Sequence, residues 1–347
     1  MTASVGRRSL LLAATSGGVG LATGCGHSAS GGGPVTGGSP AVEPRAGTAT
    51  HQPGIVSPPL AYTLLTAYDV TVTGRDGLTA VLRAVTAPQR GHTVTVSWGL
   101  SLFGTRFGLP HPPLLTSMPA FTADVLDQAW SHGDLLVQIQ SENPITTPAG
   151  VAGLTVRWRI AGRHAATARN HFGFREGAGN PDPADRELMD DLIWEPGGGT
   201  YQVVRLIGMA MPSWESEPVA AQERIIGRHR DNGAPLGGER EQDTPDYTAD
   251  PDGVTIALDA HIRRANPRTA DSQANRILRR GWSYTGGGPP GTGDAGQIFV
   301  CYQRDPEKGF AATQHRLAGE AMEKYLLPFG GGYFFTPPAG DPFPPVT

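Results

Sequence analysis

Tyr201-Gln202-Val203-Val204-Arg205-Leu206-Ile207-Gly208-Met209-Ala210-Met211 is the stretch from which the fold is read. Its aromatic, β-branched and apolar residues predict a strand, and Pro218-Val219-Ala220-Ala221-Gln222-Glu223-Arg224-Ile225-Ile226-Gly227-Arg228 behind it predicts a helix. Strands are expected over 277–284 and 296–304. An amphipathic helix is expected over 310–327, with Leu317, Met322, Tyr325 and Leu326 near one face, and a last strand over 332–336. The order β-α-β-β-α-β is the split βαβ pattern.

Upstream the pattern repeats. Residues 62–72 alternate apolar and polar and stop before Gly74, 78–86 have helical spacing, and 92–99, 134–141 and 154–160 read as strands. The stretch Glu142-Asn143-Pro144-Ile145-Thr146-Thr147-Pro148-Ala149-Gly150-Val151-Ala152-Gly153 has too much proline and glycine for a crossover helix, so this copy reads as trimmed. The expected class is α+β, with two ferredoxin-like halves, 51–165 and 166–340, each with helices on one face of an antiparallel sheet.

Composition narrows the functions. The 347 residues carry 28 Lys and Arg against 32 Asp and Glu, a net charge of -4 with no basic stripe for nucleic acid. The two cysteines, Cys25 and Cys301, exclude a disulfide framework, a cysteine zinc cluster and an iron–sulfur centre. With 48 glycines and 31 prolines the chain holds roughly twice the average share of both.

Arg7-Arg8-Ser9 precedes a short apolar run, Leu10-Leu11-Leu12-Ala13-Ala14, softened by Gly17 and Gly18. This reads as a signal peptide over 1–30, and the arginine pair points to the twin-arginine route, with an ordinary secretory signal as the alternative. Ala22-Thr23-Gly24-Cys25 resembles a lipobox with its leucine one place early, at Leu21, so Cys25 is a candidate for lipid attachment; cleavage near Ser28-Ala29-Ser30 is the alternative. Residues 31–50 read as a flexible linker. The expected location is periplasmic, extracellular or, through Cys25, on the cell envelope as a lipoprotein.

Three segments carry chemistry: Phe172-Gly173-Phe174-Arg175-Glu176-Gly177-Ala178-Gly179-Asn180-Pro181, Asp259-Ala260-His261-Ile262-Arg263-Arg264-Ala265-Asn266-Pro267-Arg268, and Leu278-Arg279-Arg280-Gly281-Trp282-Ser283-Tyr284. Glycines around Glu176 let backbone approach a flat ligand, though taken alone the stretch reads rather as a turn with a solvated Glu. His261 follows a strand-like run, 254–258, and alone reads as a hydrogen-bonded core histidine or a metal ligand. Arg263, Arg264, Arg268, Arg279 and Arg280 invite anions, or form a solvated basic face. Cys301 reads as a buried thiol, and Trp282, Tyr284, Tyr302 and Tyr333 as core or edge aromatics, with electron relay as the alternative.

Together the three segments resemble the dye-decolourising peroxidase family, in particular its exported branch of heme peroxidases and deferrochelatases that accompany ferrous-iron uptake systems. His51-Gln52-Pro53-Gly54-Ile55, Ser101-Leu102-Phe103-Gly104-Thr105-Arg106-Phe107-Gly108-Leu109, Asp243-Thr244-Pro245-Asp246-Tyr247 and Gly330-Gly331-Gly332-Tyr333-Phe334-Phe335 share the likeness. The resemblance implies one non-covalent heme b per chain, held mainly by the C-terminal half. It implies His261 as axial ligand of the iron, Arg279 as distal arginine and Glu176 as distal acid–base, with Gly177, Ala178 and Gly179 against the heme face. Asn266, Pro267 and Arg268 are implied along the heme edge, Arg268 toward a propionate.

The residue types suit that chemistry. Such a site needs one axial nitrogen donor, an open opposite face, a group that takes a proton from one peroxide oxygen and gives one to the other, and fixed positive charge beside the departing oxygen. A carboxylate base implies activity skewed to acid pH. The family signature G-x-x-D-G has aspartate where this chain has Glu176. Its extra methylene is expected to displace the carboxylate, leaving Arg279 as the main agent and making Glu176→Asp neutral or beneficial. The implied partners are hydrogen peroxide and a bulky phenolic or dye-like reducing substrate, with an iron-uptake permease and a homo-oligomer as further expectations. Alternatives are heme or iron acquisition, ferrous-iron oxidation, and a heme-binding envelope protein with weak turnover.

Overall fold

The computed structural model of the chain describes residues 51–87, 89–164 and 169–340. The stretches read as signal peptide and linker, and Cys25, lie outside the described residues, which belong to a compact unit spanning 45–347. The first half runs β1 (Tyr62–Val70), α1 (Gly74–Val85), β2 (Thr93–Gly99), β3 (Leu135–Ser141) and β4 (Leu154–Arg163). The second runs α2 (Arg186–Leu192), β5 (Thr200–Met209), α3 (Met211–Glu215), α4 (Val219–Ile226), α5 (His261–Ala265), α6 (Ala270–Ala274), β6 (Leu278–Thr285), β7 (Ala295–Gln303), α7 (Ala312–Leu317) and β8 (Leu326–Thr336).

The strand order is ferredoxin-like twice over, β4-β1-β3-β2 and β8-β5-β7-β6, and the two sheets join into one closed antiparallel barrel. The seams are short. β2 meets β8 at Trp98–Phe335 and Gly99–Phe334, and β4 meets β6 only at Arg163–Ser283. No crossover helix links β3 to β4, as the prolines and glycines of 142–153 predict.

Alternation sorts the side chains. Leu65, Leu136, Val204, Leu206, Trp282, Ile298, Val300 and Tyr302 form one buried cluster inside the barrel. At one end that interior turns polar: Gln202 Nε2 donates to Gln138 Oε1 (3.1 Å) and to the Tyr302 hydroxyl (3.0 Å), and Ser97 Oγ donates to Gln202 Oε1 (2.6 Å). Gln52 closes this end by bonding both backbone groups of Val96. The opposite faces pack outward. Leu78, Val81, Leu82 and Val85 make the buried stripe of α1 against Leu64, Val96 and Val137. Each such side chain contributes about 1.5–3 kcal/mol by burial, which holds a helix whose N-cap Thr73 makes no side-chain bond.

The helix expected over 310–327 does not form as one piece. α7 stops at Leu317, where Ala318 turns extended (ψ 122°) and Gly319 takes φ +73°; a single turn over Glu323–Tyr325 then leads into β8, which begins earlier than expected. The break sends Met322 and Tyr325 into a core with Trp214 and frees Glu320 for another partner. Among the described residues no helix is long and apolar enough to cross a membrane.

Candidate active site

The site lies on the outer face of the second half, because Arg279 and Gly281 alternate with Arg280 and Trp282, which point into the barrel. The loop carrying Glu176 is pinned by two buried phenylalanines. Phe172 lies 4.3 Å (ring centroids) from Trp214, whose Nε1 donates to Phe172 O at 3.1 Å, and Phe174 packs in the same cluster. Arg169 Nη1 donates to Gly173 O between them (2.8 Å).

Arg279 is laced to this loop. Its Nη2 donates to Ala178 O (2.7 Å), its Nε to Asn180 Oδ1 (3.2 Å), and Asn180 Nδ2 donates back to Arg279 O (2.9 Å). Burial lowers the Arg279 pKa and the Glu176 carboxylate opposes it, so the two candidates interact; a guanidinium starting so high stays charged. Glu176 is not adrift on its longer side chain. Its Oε1 accepts from Gln297 Nε2 (2.6 Å), and its Oε2 lies 3.1 Å from His164 Nδ1.

His261 begins α5, and its Nδ1 lies 2.7 Å from Oε2 of Glu320, whose side chain is only 5% exposed. A carboxylate there assigns the proton to Nδ1, orients the ring and strengthens Nε2 as an electron-pair donor. The segment before it is not the expected strand. Asp250 accepts the backbone N–H groups of Val254, Thr255 and Ile256 and pairs with Arg263 (3.1 Å), holding 254–258 in bends with Val254 89% exposed. These bonds, that from Ile256 first, hold the Asp250 pKa below its ordinary value.

The arginine cluster divides. Arg263 is spent on Asp250, Arg264 on Ala318 O and Arg280 on Ile55 O, so these are structural. Arg268 and Arg279 lie instead with Arg228, an arginine outside the three segments, whose Nη1 donates to Gly233 O (2.7 Å) and Glu241 O (3.0 Å). Burial, then Arg279, then Arg268 lower the Arg228 pKa, so three guanidinium groups share one region. Arg268 has φ +63°, unusual for a side-chain-bearing residue, and its Nε is buried without a partner. Asn266 Oδ1 accepts its backbone N–H (3.1 Å), and Asn266, Pro267 and Arg268 are all half-buried.

These features fit a flat dianionic cofactor. Converging buried cations and an orphaned Arg268 Nε ask for carboxylates. A Cβ added at Gly177 or Gly179 would meet nothing nearer than Asn180 Nδ2 (3.7 Å) and Arg228 Nη2 (3.6 Å), so the loop leaves room for a ring. His261, with Nδ1 turned to Glu320, could offer Nε2 as an axial nitrogen, and among the described residues no cluster of three or more His, Cys, Asp and Glu could hold a metal ion. The candidates thus fall into two sets: Glu176, Ala178 and Arg279 in one, with Arg228 linking it to Arg268, and His261 with its own partner Glu320 in the other. Asn180, Arg228, Glu320, His164 and Gln297 complete the site. Of these only Asn180 lay in a stretch singled out by sequence. Cys301 and the four aromatics are buried in the core, and burial pushes the Cys301 thiol up.

Comparison with known proteins agrees. Residues 167–341 match "Dyp-type peroxidase, C-terminal" and residues 84–151 match "Dyp-type peroxidase, N-terminal". The deferrochelatase of Escherichia coli strain K12 is 40% identical over 348 aligned residues, covering 83% of this chain and 82% of that protein. Ferric DtpA from Streptomyces lividans superposes with a TM-score of 0.74 at 32% identity, over 84% of this chain and 92% of the other. The DyP-type peroxidase from Cellulomonas bogoriensis gives 0.72 at 32% identity, over 84% and 94%. The doubled ferredoxin-like barrel, the cation-lined cradle and these matches lead to one assignment: the chain belongs to the Dyp-type peroxidase family.

Proposed function

We propose that this protein is an exported heme b peroxidase that reduces hydrogen peroxide with electrons from a bulky phenolic or dye-like donor. The observation that carries it is a carboxylate and a guanidinium, Glu176 and Arg279, tied into one loop–strand unit, together with a separate histidine, His261, backed by a buried carboxylate.

When bound, heme supplies the iron centre that takes up the two oxidising equivalents of peroxide and hands them singly to donors. His261 would hold it through Nε2, and Arg228 and Arg268 would hold its carboxylates. Glu176 takes a proton from one peroxide oxygen and returns it to the other, which departs as water. Arg279, fixed by Ala178 O and Asn180, stabilises the negative charge growing on that departing oxygen.

The deferrochelatase relative at 40% identity favours a second reading, iron or heme acquisition beside a permease. The deciding test is steady-state turnover of an anthraquinone dye by heme-loaded protein and peroxide from acid to neutral pH, with the products searched for iron-free porphyrin. Bleaching without porphyrin supports the peroxidase; porphyrin release without bleaching supports acquisition.

Export, a lipid anchor at Cys25 and a homo-oligomer belong to the same proposal. Replacing Arg7 and Arg8 by lysine is expected to leave heme-loaded precursor inside the cell, read by fractionation, whereas normal secretion points to the general route. Cys25→Ser releases the protein from membranes if that cysteine is acylated.

A further inference from the structure

Both oxygens of the Glu176 carboxylate are held, and neither holder belongs to the loop that carries it. Gln297 stands on β7 opposite Ser283 of β6 and donates from Nε2 at 2.6 Å. His164 follows the last residue of β4, with its Nδ1 3.1 Å from the other oxygen. The imidazole is itself fixed: its backbone N–H donates to Ala61 O (2.8 Å), and its ring lies 5.1 Å from that of Trp282. Its Nε2 is buried with no partner, so its hydrogen bonding is committed to the Nδ1 side. Gly281 keeps the space open, since a Cβ there would lie 2.4 Å from Gln297 Nε2 and 3.2 Å from Glu176 Oε1.

We propose that His164 and Gln297 are positioning residues that set the Glu176 carboxylate for proton transfer, and that they fit glutamate rather than the aspartate of the family signature. The proposal rests on the reading of Glu176 as the proton acceptor. An aspartate on the same backbone is shorter by one C–C bond, about 1.5 Å, and cannot meet two donors on separate strands at their present places. The expectation that Glu176→Asp is neutral or beneficial is therefore reversed. The N-terminal half also gains a part in the chemistry, since His164 arrives where β4 touches β6 at Arg163–Ser283.

The test uses heme-loaded protein and two probes in stopped flow, hydrogen peroxide and cyanide. Hydrogen cyanide must also give up its proton on binding, but no O–O bond breaks and no electron moves, so it reads positioning apart from turnover. Glu176→Asp and His164→Phe are each expected to slow both probes on the order of 10- to 100-fold at unchanged heme content. The double variant is expected to be no slower than the slower single variant, because both changes dismantle one arrangement. His164→Asn, whose amide N–H replaces Nδ1–H, recovers most of the rate. Glu176→Asp at or above the wild-type rate with both probes, or losses that multiply in the double variant, overturns the proposal. If Glu176→Gln leaves both rates unchanged, the proton-acceptor reading falls and takes the proposal with it. If Glu176→Gln is slow while Glu176→Asp and His164→Phe match wild type, only the positioning claim falls.

Discussion

Arg279→Leu slows the reaction with hydrogen peroxide by about 100-fold or more while heme stays bound. A preorganised donor facing developing charge contributes about 3 kcal/mol, and the Arg279 guanidinium is preorganised by its bonds to Ala178 O and Asn180 Oδ1. Leucine keeps the bulk and removes the charge. Heme retention follows because Arg228 and Arg268 remain, and because removing Arg279 relieves the repulsion it exerts on Arg228. Stopped-flow mixing near pH 4–5, following the Soret band, gives the rate, and the absorbance ratio gives heme content. A wild-type rate in this variant rejects the assignment of Arg279.

His261→Ala loses most of its bound heme or shifts the Soret band. The change removes the axial nitrogen and strands Glu320, a buried carboxylate whose partner is His261. Leaving a buried charge unpaired costs several kcal/mol, so a lower melting temperature is expected as well. Glu320→Gln separates the two effects: the ring stays, the carboxylate becomes a neutral amide, and weaker donation by Nε2 raises the heme reduction potential with heme retained. Unchanged heme content and spectrum in His261→Ala, or an unchanged potential in Glu320→Gln, contradict these roles.

Strands were the legible part of the fold, because each half repeats the same alternation and both faces of most strands are buried. The helix over 310–327 was misread because apolar spacing continues past the break at Ala318–Gly319, which is set by backbone torsions rather than by pattern. Closure was invisible, since so few residue pairs join the halves. In the site, Glu176, Arg279, His261 and Arg268 were visible as residue types inside recognisable stretches. Their partners were not. Glu320 reaches His261 across 59 positions, Gln297 reaches Glu176 across 121, and Arg228 looked like the end of a helix. The expectation that Arg279 is the main agent rests on a displaced carboxylate, and the contacts of Glu176 with His164 and Gln297 remove that reason.

The barrel seams have a consequence for how copies of this chain can associate. An isolated ferredoxin-like sheet exposes two strand edges, each a template for another molecule. Here the edges of one half meet those of the other at the two short seams, β2 with β8 and β4 with β6. The part of β4 before Arg163 lies beyond the β6 contact, and it carries Arg157, paired with Asp69, and Arg159, bonded to Thr66. Inter-molecular sheet extension at that stretch would have to bury both arginines. Edge-to-edge pairing of two copies is therefore disfavoured along that stretch of β4.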